Sequence, residues 1–308
     1  MKVALLGPQR FDPSVAEAAM AAGVTGRFAL ITAGWQERER EDDELSEHLG
    51  GRTVNLALHE RADDVFRSDG ELRGAYRARQ LRFRQLQDFY RIRLEHLIES
   101  ARVIAHRAAP TELLAQEQEW SVNGIRVLDK HHLRQCERVR TEFQKEWAPL
   151  SRGRVAWHRA ELARLLEGCD AVAIAGGHVA SLLNRLQLFG VTDLIGERPV
   201  FAWSAGAMAV TERIVLFHDD PPYGVDAPQV LEPGLGLVSD VVALPNPEAR
   251  LALDDAERMA MYAQRFAPAT CMVLPRRSWV LFEAGAVVGS QRALTLHADG
   301  AVADPEAA

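Results

Sequence analysis

Cysteine is scarce in this chain of 308 residues: three are present, Cys136, Cys169 and Cys271, far apart and without C-x-x-C spacing. An odd number at such intervals excludes a disulfide framework and a zinc ribbon, and free thiols in a reducing compartment are expected. Long apolar runs are missing too, since no segment approaches the ~20 residues that span a bilayer. The opening stretch, MKVALLGPQRFDP, lacks the apolar core and small-residue cleavage site of a secretory leader and reads instead as a first strand. The expectation is a cytoplasmic protein with no membrane contact. Positive charge is in deficit, 36 Lys and Arg against 43 Asp and Glu, and the net charge of −7 speaks against a general nucleic-acid binder. His131 and His132 are adjacent, hence on different sides of a helix, which makes a poor metal pair. No metal and no cofactor are expected.

What is present is an alternation of short apolar runs with helical segments. KVALLG, RFALITAG and TVNLAL read as strands, an Ala-rich helix runs from about Pro13 to Ala22, and AGWQERERED opens a charged, exposed helix. This pattern predicts a mostly parallel sheet with helices on both faces. From about residue 60 to 150 the alternation stops. ELRGAYRARQLRFRQLQDFYRIRLEHLIESARVIAHR carries no proline, and Leu81, Leu86, Phe89, Leu94, Leu97 and Ile98 recur at roughly helical spacing. A second helical run ends near Pro149. The segment is a helical insertion in a single α/β domain covering residues 1–308. Its arginines form a solvated face, a basic lip over an acidic substrate, or an interface between copies of the chain in a homo-oligomer. Strand–helix alternation resumes at Arg154. A Pro/Gly-rich loop, GLGLVSDVVALPNP, leads to a helix from about Glu248 to Phe266. Terminal strands follow, with turns at Ala284-Gly285 and Gly289-Ser290.

Ligands of parallel α/β sheets collect beyond the carboxyl ends of the strands. Two such ends carry chemistry. DAVAIA runs into Gly176-Gly177, where bare backbone N–H groups approach a ligand closely, and PVFAW, ending on Trp203, runs into Ser204-Ala205-Gly206. Small neighbours permit a tight strand-to-helix turn there that lifts the hydroxyl to the sheet edge and aims the next N–H at a developing oxyanion. Ala202 stands where G-x-S-x-G has its first glycine.

AIAGGHVASLLNRL, PVFAWSAGAMAV, GLGLVSDVVALPN and the terminal EAGAVVG resemble, in order and spacing, the dipeptidase E and cyanophycinase family of serine peptidases, over about residues 154–300. The resemblance implies a class I glutamine-amidotransferase-like fold, a three-layer α/β sandwich with a mostly parallel sheet. It implies Ser204 as nucleophile, Gly177 and Ala205 as the oxyanion hole, and a small peptide or amide substrate held near Gly176, Trp203 and Asn246. The family's basic histidine falls on Asn246, and asparagine has no basic lone pair near neutral pH. His178, next to Gly176-Gly177, is the first candidate for a non-standard base. His218 is the second, and Asp219 and Asp220 are the acidic partners implied by the family. The competing expectation is a catalytically inactive relative that binds a ligand or protein. Glutamine amidotransfer needs a cysteine at the turn, and none of the three is there.

Overall fold

A computed structural model describes residues 1–217 and 227–305. The chain opens with β1 (Lys2–Leu6), α1 (Val15–Ala21), β2 (Phe28–Ile31), α2 (Asp43–His48) and β3 (Thr53–Asn55). Three helices follow in succession, α3 (Leu58–Ser68), α4 (Gly70–Ala105) and α5 (Thr111–Trp147), and they are the insertion foreseen between residues 60 and 150. Alternation returns with α6 (Gly153–Glu167), β4 (Ala171–Ile174), α7 (Val179–Leu188), α8 (Val191–Ile195), β5 (Val200–Trp203) and α9 (Ala205–Val210). The remainder is mainly β: β6 (Arg213–Leu216), β7 (Gln229–Pro233), β8 (Val241–Pro245), then α10 (Ala256–Phe266), β9 (Thr270–Leu274), β10 (Trp279–Glu283), β11 (Ala286–Gln291), β12 (Leu294–Leu296) and β13 (Val302–Ala303).

The central sheet has the order β11-β10-β1-β5-β4-β2-β3. From β1 to β3 every neighbouring pair is parallel, while β10 and β11 run antiparallel at one edge. Strands β2, β4 and β5 are buried along their whole length, as continuous apolar runs covered on both faces must be. A second sheet, β13-β12-β9-β8, and the β6–β7 ribbon stand apart from the first. Among the described residues no helix is long and apolar enough to cross a membrane.

Four local expectations are corrected. AGWQERERED does not open a helix at once. Gln36 takes φ 58°, ψ −122°, which no α-helix admits, and the turn is closed by the Thr32 hydroxyl donating to the Glu39 carbonyl at 2.8 Å. Glu39 then turns inward, where its carboxylate accepts the His59 and Glu60 N–H groups and so caps α3. VVALP, read as part of a loop, is β8, paired in parallel with β9. Gly289-Ser290 is no turn but lies inside β11, beyond a register shift against β10, whereas Ala284 and Gly285 do form the hairpin turn, both at positive φ. The helix drawn from Glu248 begins only at Ala256, where Asp255 caps it by accepting the Arg258 N–H at 3.0 Å.

The buried stripe of α4 is also displaced. Leu94 and Ile98 are buried as expected, but Leu81 and Phe89 are exposed, and Tyr76, Arg79, Phe83, Tyr90 and Ala101 complete the inward row. At its start this row joins the core under the central sheet. Farther along, Tyr90, Leu94 and Ile98 pack with Val230 of β7, Val242 and Leu244 of the second sheet, and Met259 of α10. One polar node pins this second contact. The Tyr90 hydroxyl donates to Asp129 Oδ1 at 2.8 Å and accepts the Val230 N–H at 3.0 Å, and Arg265 donates to both Asp129 oxygens at 2.8 Å. The Arg265 side chain is 1% exposed, so its charge has no recourse to water. Asp129→Ala leaves that guanidinium buried and uncompensated, and a loss of about 3–5 kcal/mol in urea unfolding is expected. A loss below 1 kcal/mol would show the node to be ornamental.

Candidate active site

All five parallel strands end at one edge of the sheet, and the loops after β1, β2, β4 and β5 meet there around a cleft of 480 Å³. Gly176, Gly177, Trp203 and Ser204 line it, facing Pro8, Gln9 and Arg10 from the β1 loop, Trp35 and Arg38 from the β2 turn, and Glu44 and His48 from α2. The β1 loop is held by Gln9, whose side-chain oxygen accepts the Ser14 and Val15 N–H groups while its amide donates to the Gly7 carbonyl.

Ser204 sits between the last residue of β5 and the first of α9 with φ 52°, ψ −124°. Such a conformation is costly for any residue with a Cβ and persists only where the surroundings impose it. They do so by close approach. A Cβ on Gly176 would lie 2.6 Å from the Ser204 Cβ, and one on Gly206 would run into the Ile174 carbonyl oxygen. Glycine at both positions lets the end of β4 lie against Ser204 and against the first turn of α9. Ser204 is half-buried, and its hydroxyl makes no capping bond to the helix that follows. Ala205 is the first residue of α9, so its N–H is among those a helix start leaves unbonded. Gly177, at φ 104°, is exposed in the same cleft. The next N–H, that of His178, donates to the Gly34 carbonyl at 2.8 Å and ties the β4 loop to the β2 turn.

Two further site residues expected from the sequence, His178 and Asn246, do not line this cleft. His178 is exposed at the N-terminus of α7, where its Nδ1 accepts the Ser181 N–H at 3.1 Å. A nitrogen that accepts is unprotonated, so a neutral His178 carries its proton on Nε2. His178 lines a neighbouring cleft, not that of Ser204. Asn246 follows β8 of the second sheet and is not among the residues that line the Ser204 cleft. It holds the left-handed conformation that asparagine tolerates (φ 59°, ψ 52°), and its N–H donates to Leu274 O at 3.1 Å. His218, Asp219 and Asp220 lie outside the described residues. His48 escaped the sequence reading because no motif surrounds it; Glu44 and His48 reach one cleft because residues four apart share a helix face. Cys136 and Cys271 are buried, and loss of solvent pushes each thiol up to about 12. Among the described residues no group of three or more His, Cys, Asp or Glu is placed to hold a metal ion.

No family model matches the chain. Peptidase E of Pasteurella multocida (strain Pm70) is 35% identical over 86 residues, 26% of this chain and 37% of that protein. Peptidase E of Haemophilus influenzae (strain Rd) is 36% identical over 73 residues, 22% and 34% of the two chains. Over part of its length the chain is similar to peptidase E. It spans about a third of the curated relatives it matches. Among solved structures it is similar to a peptidase from an acI-B1 actinobacterium, at 12% identity and TM-score 0.45, covering 96% of this chain and 91% of that one. It is also similar to a putative peptidase E protein from Listeria monocytogenes EGD-e, at 18% identity and TM-score 0.31, covering 43% and 64%.

The strain at Ser204 is open to measurement. Ser204→Gly removes the Cβ that makes the conformation costly, so it should be more stable than Ser204→Ala by about 1–3 kcal/mol in denaturant unfolding. Gly176→Ala should lose about 1–3 kcal/mol by forcing the two loops apart. Equal stability of the two Ser204 variants would mean that the turn relaxes in solution.

Proposed function

We propose that the protein is a serine hydrolase that cleaves a peptide or amide bond through Ser204, on a fold of the class I glutamine-amidotransferase type. The observation that carries this reading is the strained backbone of Ser204 at the carboxyl end of β5, opposite Gly177. In this reading the Ser204 oxygen attacks the substrate carbonyl carbon and its proton passes to a base. The Gly177 and Ala205 N–H groups receive the oxyanion. Collapse breaks the C–N bond and releases the amine, which takes up the proton, and water then hydrolyses the acyl-enzyme. Trp203 and Gly176 border the acyl group.

The base in this reading is an imidazole, and among the described residues His48 is the histidine that lines the cleft with Ser204. His178 takes that role only by releasing Ser181, because its Nδ1 is occupied and its Nε2 holds the proton. A second reading, an inactive relative that only binds ligand, is favoured by Asn246 at the family's base position and by that same cap.

A fluorophosphonate probe separates these readings. Wild type should be labelled and Ser204→Ala should not. His48→Asn should slow labelling by about 10²-fold or more, and His178→Asn should leave it unchanged. The reverse pattern at the two histidines would transfer the role to His178. An unlabelled wild type would leave the binding reading standing.

A further inference from the structure

A second cleft, of 820 Å³, opens between α3, α4 and α7 on the other side of the Gly176-Gly177 loop. Arg67, Arg73, Arg77, Arg84 and Arg185 line it, against the carboxylates Glu60 and Asp63. Both carboxylates are committed elsewhere or shared: Glu60 pairs with Arg40 at 2.6 Å, and Asp63 stands between His59 at 3.7 Å and Arg185 at 4.0 Å. Arg67, Arg73, Arg77 and Arg84 are exposed and make no ion pair among the described residues. So dense a patch is not a product of composition, because the chain as a whole carries −7.

The floor of this cleft is short of acceptors. Tyr76 lines it and is 5% exposed, yet its hydroxyl has no hydrogen-bond partner. Behind it Arg79, 3% exposed, stacks 4.4 Å from the Tyr76 ring with Nε and Nη1 unpartnered, and the Nε of Arg185 is unpartnered as well. Buried polar groups left unpaired are costly, and Tyr76 and Arg185 bring theirs to the lining of a positively charged cleft. The N-terminal turn of α7 adds its own positive end, since Ala180 and Ser181 also line the cleft.

We propose that this cleft binds a small ligand bearing two or more phosphoryl groups. Arginine forks bind carboxylate and phosphate alike. Charge and extent decide between them. A phosphoryl group brings about two negative charges and three acceptor oxygens, where a carboxylate brings one and two. Arg73, Arg77 and Arg84 extend along one side of α4 over about 16 Å, a span that a lone carboxylate leaves mostly unanswered. The site is separate from the Ser204 cleft and does not depend on hydrolysis.

The test is calorimetric titration of the Ser204→Ala chain with inorganic tripolyphosphate, so that the fate of the hydrolase reading does not bear on it. Saturable binding is expected, weakening with added salt and about tenfold or more in Arg73→Gln/Arg77→Gln, whose side chains are exposed and not needed for folding. Tyr76→Phe should weaken it several-fold, and Arg77→Lys should recover part of the loss. Arg91→Gln, on the same helix but outside the cleft, should have no effect. Absence of binding, equal weakening by Arg91→Gln, or tighter binding of tri-aspartate than of tripolyphosphate would overturn the assignment.

Discussion

The contact on which both clefts depend is backbone against side-chain stem: Gly176 at the end of β4 lies against the Cβ of Ser204 at the end of β5. Adjacent parallel strands stand about 4.8 Å apart, so two loops leaving them at one edge must diverge or share space. Here they share it. The serine turn is pressed into a conformation it would not choose, and the β4 loop is pushed toward β2, where the His178 N–H finds the Gly34 carbonyl. On one side of that loop the cleft contains the serine; on the other, α7 begins and the arginine-lined cleft opens. One glycine pair therefore divides two chemically different cavities.

The features legible in the sequence are those that local chemistry determines. Strands buried on both faces are continuous apolar runs, so β1, β2, β4 and β5 could be read directly, as could the Gly-Gly and Ser-Ala-Gly-Ala ends that need small residues. The insertion was legible because proline is absent from a long segment with helical spacing. Its orientation was not, because Arg79 occupies an inward position. An arginine reads as solvent-facing, yet here the guanidinium lies over the rings of Tyr76, Phe83 and Phe143 at 4.4, 5.7 and 4.5 Å. That row of one charge and three rings turns Leu81 and Phe89 outward. The β8 strand was hidden among prolines and glycines because its pairing with β9 is long-range.

The same distinction applies to the site. Ser204, Gly176, Gly177 and Trp203 come together because two adjacent strands deliver them. His48 arrives from a short helix whose position follows from the turn at Gln36, and nothing near it in sequence announces that path. His178 sits beside the same loop but lines the neighbouring cleft, where its ring caps α7. Proximity in sequence gave the neighbourhood, and competition for a hydrogen bond set the orientation of the ring.

The Tyr90–Asp129–Arg265 node bears on how such a chain can change over time. Its members come from α4, α5 and α10, so the α4–α5 helical hairpin and α10 carry complementary halves of one buried charge pair. A lineage that shed the hairpin would inherit an arginine with no counter-ion inside its other half, and one that replaced Arg265 first would strand the aspartate. The three positions are therefore bound to be kept or lost as a set, and their joint presence in a related sequence marks a chain that still has its hairpin.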